Sequence, residues 1–198
     1  MLEVYFGEIQ SGHLEQVGYD TYYNLLNEVI KEMKGIEYKK EEDIQIDLDV
    51  TSYIPDEYIQ DANQKIEIYQ DIALCRNEED IQNVIDEVID RFGNMPGQLE
   101  NLIDIARIKY ISKKLDIEKI VSKKNAVVFT FNPNTVREKI DIPKLVEKYE
   151  NRIKFSSGIK PMVTITIKNN DNDKELLKEV TNFVKYLINN KPESKEEK

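Results

Sequence analysis

Between Ile81 and Phe92 the apolar residues Ile81, Val84, Ile85, Val88, Ile89 and Phe92 recur at i, i+3, i+4 and i+7, the spacing of one helix face. Asn77 stands where an N-cap belongs, and Gly93 supplies the stop. Glu78, Glu79 and Asp80 put negative charge in the first turn, where the helix dipole favours it. The stretch before it predicts another amphipathic helix from about Asn63 to Cys75, with Ile66, Tyr69, Ile72 and Ala73 on one side, reached through the turn-rich YIPDEY loop. After Gly93, Pro96 suits the first turn of a third helix that runs to about Leu115 and buries Leu99, Leu102, Ile103, Ala106 and Tyr110.

The period changes on either side of these helices. Ile44, Ile46, Leu48 and Val50 alternate with Gln45, Asp47 and Asp49, which predicts a strand with one face on a core. Ala126 to Phe131 (AVVFTF), closed by the turn Asn132-Pro133-Asn134, and Pro161 to Lys168 (PMVTITIK) read as two more strands. A short helix is expected after Pro143, through Leu145, Val146 and Tyr149. A last helix, capped by Asp173, is expected to bury Leu176, Leu177, Val180, Phe183, Val184 and Leu187. Upstream, a Gly-punctuated loop precedes a helix capped by Asp20 and ended by Gly35. Residues 36–43 (IEYKKEED) are polar and aperiodic, a linker, and KPESKEEK has nothing to bury. The expected fold class is α+β, a helix-rich domain with a small β-sheet.

Composition narrows the setting. With 198 residues and 40% hydrophobic content the chain can bury a core of ordinary size. No apolar run approaches the ~20 residues that span a bilayer, and the N-terminus does not read as a secretory signal, so a cytoplasmic location is expected. The single cysteine, Cys75, excludes an internal disulfide and is expected as a buried, inert thiol. Net charge is −10, unevenly spread: residues 41–100 carry 17 acidic side chains against Lys65, Arg76 and Arg91, a local −14, whereas residues 101–198 carry 21 basic and 14 acidic ones, or +7. A split that steep bears on partners more than on the core.

Candidate chemistry is sparse. The chain has no GxxxxGK[ST] loop, no GxGxxG after a strand and no Cys/His cluster, so no cofactor is expected in it. His13 lacks a partner and reads as a loop residue. Asp47 and Asp49 share a strand face on which Mg²⁺ is conceivable, but spacing sets no third carboxylate beside them, and a solvated face is the simpler reading. Lys109, Lys113, Lys114, Lys119, Lys123 and Lys124 make a basic stretch, either a solvated face or an accessory nucleic-acid-binding module without aromatic platforms. Glu87, Asp90 and Arg91 fall at i, i+3 and i+4 on the outward side of their helix. They read either as an ordinary intrahelical pair with a neighbour or as a charged contact patch.

Two separated stretches carry a resemblance. YIPDEYIQDANQKIEIYQDIA and EVIDRFGNMPGQLENLIDIARIKYISKKLDI resemble the C-terminal domain of the bacterial transcription-repair coupling factor family, Mfd. Upstream, FGEIQSGHLEQVGYDTYYNLL is similar to the end of that family's DNA translocase motor, where the pattern reads close to LLGEEQSGHI. The match is strong over about residues 6–120 and rests on the order of elements beyond that. It departs at the start, where MLEVYF stands in place of the family's RGAG run.

The resemblance implies a multidomain ATP-dependent translocase, with ATP and Mg in its motor, that displaces stalled RNA polymerase and recruits UvrA. By it, residues 1–35 are the motor's end, with Gln10 and Gly12 in the motif that couples hydrolysis to movement on DNA. Residues 36–43 are then the linker, 44–190 a C-terminal regulatory domain and 191–198 a disordered tail. The implied partner of that domain is the N-terminal UvrB-like module of the same protein, whose UvrA-binding surface it would cover. The family's ELIDRFG-type docking motif is EVIDRFG here, so Glu87, Asp90 and Arg91 are the implied contact residues.

Overall fold

The computed structural model describes residues 44–167 and 172–192. The described chain runs β1 (Gln45–Asp47), α1 (Ala62–Leu74), α2 (Glu78–Phe92), α3 (Gly97–Lys114), β2 (Ile117–Lys123) and β3 (Ala126–Phe131). It continues with α4 (Val136–Lys139), α5 (Ile142–Tyr149), a single 3-10 turn, β4 (Ile153–Ser156), β5 (Met162–Thr166) and α6 (Asp173–Asn189). The expected α+β class holds. Five strands form one mixed sheet in the order β1-β2-β3-β5-β4, with β1 parallel to β2 and every other pair antiparallel.

Among the described residues, two apolar cores meet on α3. Leu99, Leu102, Ile103 and Ala106 face α1 and α2 in one core, while Ile105, Ile108, Ile111 and Leu115 face the sheet in another. A helix apolar on two sides is buried on two sides, so the single face expected from Leu99 to Tyr110 is half of the arrangement. The sheet contributes its inward row Ile46, Ile120, Phe129 and Val163, which the strand register sets side by side. Helix α6 closes this core with the six residues expected of it, and Phe183 packs against Phe129 at 4.4 Å between ring centroids.

Several details differ from expectation. Pairing in the first strand covers three residues, not seven, although Leu48 and Val50 still lean on the core. Strands β2 and β4 were not expected. In β2 the buried Ile117 and Ile120 are three apart, a helical spacing, and a register shift between Ile117 and Lys119 brings both onto the core face. Helix α1 buries Ile68 with Tyr69 and Ile72, leaving Ile66 and Ala73 half-buried. Ile89, expected on the apolar face of α2, is 44% exposed, because it lies at the margin of that helix's apolar stripe. Pro96 is the N-cap of α3 and not its first residue. Helix α6 is capped by Asn172, whose side chain accepts from the Lys174 N–H. Asp173 instead accepts from the Thr51 N–H and from the side-chain amide of the buried Asn101, tying together the chain after β1, α3 and α6. Cys75 is half-buried at the end of α1, and its thiol is pushed up to about 11 by burial and then by Asp80 and Asp71. Among the described residues, no helix is long and apolar enough to cross a membrane.

Candidate interaction site

Helices α1 and α2 lie side by side, and the outward face they share is built from the core outward. Ile81, Val84 and Val88 anchor α2 on Ile68, Tyr69 and Ile72 of α1 and on α3. The N-terminus of α2 is fixed by Asn77, whose side-chain oxygen accepts from the Asp80 N–H at 2.9 Å, while the Asp80 carboxylate accepts from the Arg76 N–H at 2.8 Å. Its C-terminus is fixed at Gly93, with φ +83°, where the backbone N–H donates to the Ile89 carbonyl at 2.9 Å. With both ends and the apolar face held, the helix presents its outward residues in a set orientation.

Glu87, Asp90 and Arg91 are all exposed on that face. Arg91 donates from Nη1 to Glu87 Oε1 at 2.5 Å and from Nη2 to Glu67 Oε2 on α1 at 3.0 Å. Its hydrogen bonds to these two carboxylates, Glu87 first, hold the guanidinium all the more firmly protonated. Asp90 makes no ion pair among the described residues. The intrahelical pair therefore forms as the spacing predicts, and it extends across to α1 through Glu67, which no local pattern in the sequence marks. Burial, then Glu87 and Glu67, raise the carboxyl of nearby Asp71, with Arg91 opposing. The outward face is thus a run of carboxylates around one arginine.

The other candidate residues do not assemble. Lys109 is buried at 6% exposure and is not part of a surface patch. Lys113 and Lys114 sit at the end of α3, with Lys114 over the Tyr110 ring at 5.2 Å, whereas Lys123 and Lys124 lie at the far end of β2, at its turn into β3. A strand of seven residues spans ~20 Å, so these lysines occupy separate places because a helix and a strand divide the stretch. Asp47 and Asp49 are exposed, and among the described residues no three His, Cys, Asp or Glu side chains converge as metal ligands. A concavity of about 630 Å³ opens on the sheet face opposite the Ile46–Ile120–Phe129–Val163 row, lined by Glu118, Lys119, Thr130, Ile159 and Lys160 among others, with Lys160 paired to Glu118 at 2.7 Å. Gln10, Gly12 and His13 lie outside the described residues, as does the 36–43 linker.

Comparisons with known proteins bear on the same stretch. Residues 48–142 match the family model described as the TRCF domain. The transcription-repair-coupling factor of Bacillus subtilis (strain 168) is 38% identical over 142 residues, 71% of this chain and 12% of that protein. That of Rickettsia prowazekii (strain Madrid E) is 34% identical over 185 residues, 92% of this chain and 16% of that protein. A solved structure described as the crystal structure of the C-terminal domain of transcription-repair coupling factor aligns with a TM-score of 0.67 at 25% identity, covering 74% of this chain and 92% of that one. The chain thus spans 12% to 16% of the length of these two relatives.

Proposed function

The chain belongs to the TRCF domain family, the C-terminal domain of transcription-repair coupling factors, and from that premise we propose that it is a regulatory, autoinhibitory interaction domain. Its α1–α2 face docks on the N-terminal UvrB-like module of the same protein and covers the surface that UvrA needs. The whole protein on this reading is a cytoplasmic ATP-dependent DNA translocase that removes stalled RNA polymerase. ATP, Mg and DNA belong to its motor, whose coupling motif includes Gln10 and Gly12, and not to the described domain.

One observation carries the docking role. Glu87, Asp90 and Arg91 stand exposed on a helix whose ends and apolar side are all fixed, so the charged side is free for a partner. The local excess of 14 negative charges favours a basic partner surface, by steering and by complementarity. In a pull-down, the chain added in trans is expected to retain the isolated UvrB-like module. Changing Glu87, Asp90 and Arg91 together to Lys, Lys and Glu is expected to abolish retention at moderate salt. Equal retention of the triple variant would remove the assignment.

A further inference from the structure

We propose that Glu67, on α1, is a positioning residue for the α2 contact, holding the Arg91 guanidinium in place before a partner arrives; the inference rests on the reading above. Arg91 is gripped from three sides. Glu87 takes Nη1 from one turn back on the same helix, Glu67 takes Nη2 from the neighbouring helix, and the Phe92 ring centroid lies 5.0 Å from the guanidinium carbon. An i,i+4 pair on its own is a common surface feature that holds a long side chain loosely. The bond to Glu67, from 24 positions away, ties the side chain to the tertiary structure instead. The ring beneath is itself held, since Tyr58 packs on Phe92 at 6.0 Å between centroids and donates from its hydroxyl to the Gly93 carbonyl at 2.7 Å.

The physical consequence is preorganisation. An arginine that must be immobilised on docking loses rotamer freedom at that moment, whereas one already held loses less, and affinity rises by the difference. A guanidinium carries five N–H donors in a fixed plane, and two are engaged here. The remaining edge suits an acceptor on the partner, a carboxylate or a backbone carbonyl, set beside a cation for Asp90. On this account the YIPDEY loop, α1 and the EVIDRFG stretch act as one unit: the first two hold, the last meets the partner.

The test is equilibrium binding of the 198-residue chain to the isolated UvrB-like module at low ionic strength, comparing wild type, Glu67→Gln, Glu67→Asp, Arg91→Gln and the Glu67→Gln/Arg91→Gln double variant. Glu67→Gln is expected to weaken binding about threefold, as suits an exposed pair acting through another residue, with the thermal unfolding midpoint unmoved. Glu67→Asp is expected to restore part of the loss, and the double variant to bind no more weakly than Arg91→Gln alone. Wild-type affinity in Glu67→Gln overturns the inference, and so does a double variant whose losses multiply, because Glu67 would then meet the partner directly. If the Glu87/Asp90/Arg91 triple variant also binds as wild type, the reading of the α2 face falls as well. If it loses binding while Glu67→Gln does not, only the positioning role falls.

Discussion

At Arg107 one side chain joins two helices. Its Nε donates to both carboxylate oxygens of Glu78 on α2, at 2.9 and 3.0 Å, its Nη1 donates to Asp104 at 2.5 Å, and the side chain is only 16% exposed. Replacing it by Met leaves two carboxylates facing each other over an apolar surface, and an expected loss of about 1–2 kcal/mol is checked by urea unfolding. Glu78 is held below the usual carboxylate range, first by the Arg107 hydrogen bond against a smaller opposing effect of burial, with the Tyr110 hydroxyl helping. A lowered folded-state pKa means stability that is present above the ordinary Glu value of ~4.3 and is lost as pH falls through the lower folded one. Asp104 works with the opposite sign: burial raises its carboxyl, so protonating it in acid relieves a cost. Glu78→Gln is therefore expected to flatten the acid limb of a stability-versus-pH curve below about pH 5, read by thermal melts. Packing at the same scale separates two isoleucines that sequence periodicity treats alike. Ile81 is fully buried and Ile89 is 44% exposed. Ile81→Ala is expected to cost about 3 kcal/mol and Ile89→Ala less than about 1 kcal/mol, measured as denaturation midpoints.

Elements whose signals are local were legible in advance. The cap at Asn77, the acidic first turn and the glycine stop of α2 all act within a few residues, and each is where the pattern puts it. Asn77→Ala is expected to cost about 1 kcal/mol. Gly93 combines φ +83° with ψ −156°, a region that a residue with a Cβ rarely enters, and no atom beyond the two adjoining residues lies within 4 Å of where that Cβ would sit. Gly93→Ala is expected to cost about 1–3 kcal/mol through backbone strain alone. Chemical denaturation of the two variants checks both values, and a neutral Gly93→Ala would mean that the end of α2 relaxes freely. Elements whose signals are not local are not legible in the linear pattern. Strand β2 hides behind a bulge that gives it helical spacing, and β4 is a four-residue edge strand with only Ile153 buried. In the first strand the alternation continues through Val50, whereas ladder pairing stops at Asp47.

At the scale of the whole molecule, α3 belongs to both cores, so neither can loosen without exposing the other side of the same helix. Unfolding is expected as one cooperative transition, with a tyrosine-fluorescence signal and far-ultraviolet circular dichroism changing at the same urea concentration; separated midpoints would show the cores to be independent. The proposed docking contact, set among exposed charges, is expected to weaken by about an order of magnitude between 50 and 300 mM salt, read in the same binding assay. The linear order of residues determined the helices of the 62–114 region, the strand at 126–131, the last helix, the α+β class and the family, because caps, periodicity and motif residues act through neighbours a few positions apart. It determined as well that Glu87, Asp90 and Arg91 share an outward face, since 3.6 residues per turn is a local constant. Only the tertiary structure decided that α3 is buried on two sides, that the six lysines scatter, and that Glu67 reaches Arg91. Each of these depends on which distant elements come to lie side by side, and that follows from the joint packing of the two cores and not from the spacing within any one stretch.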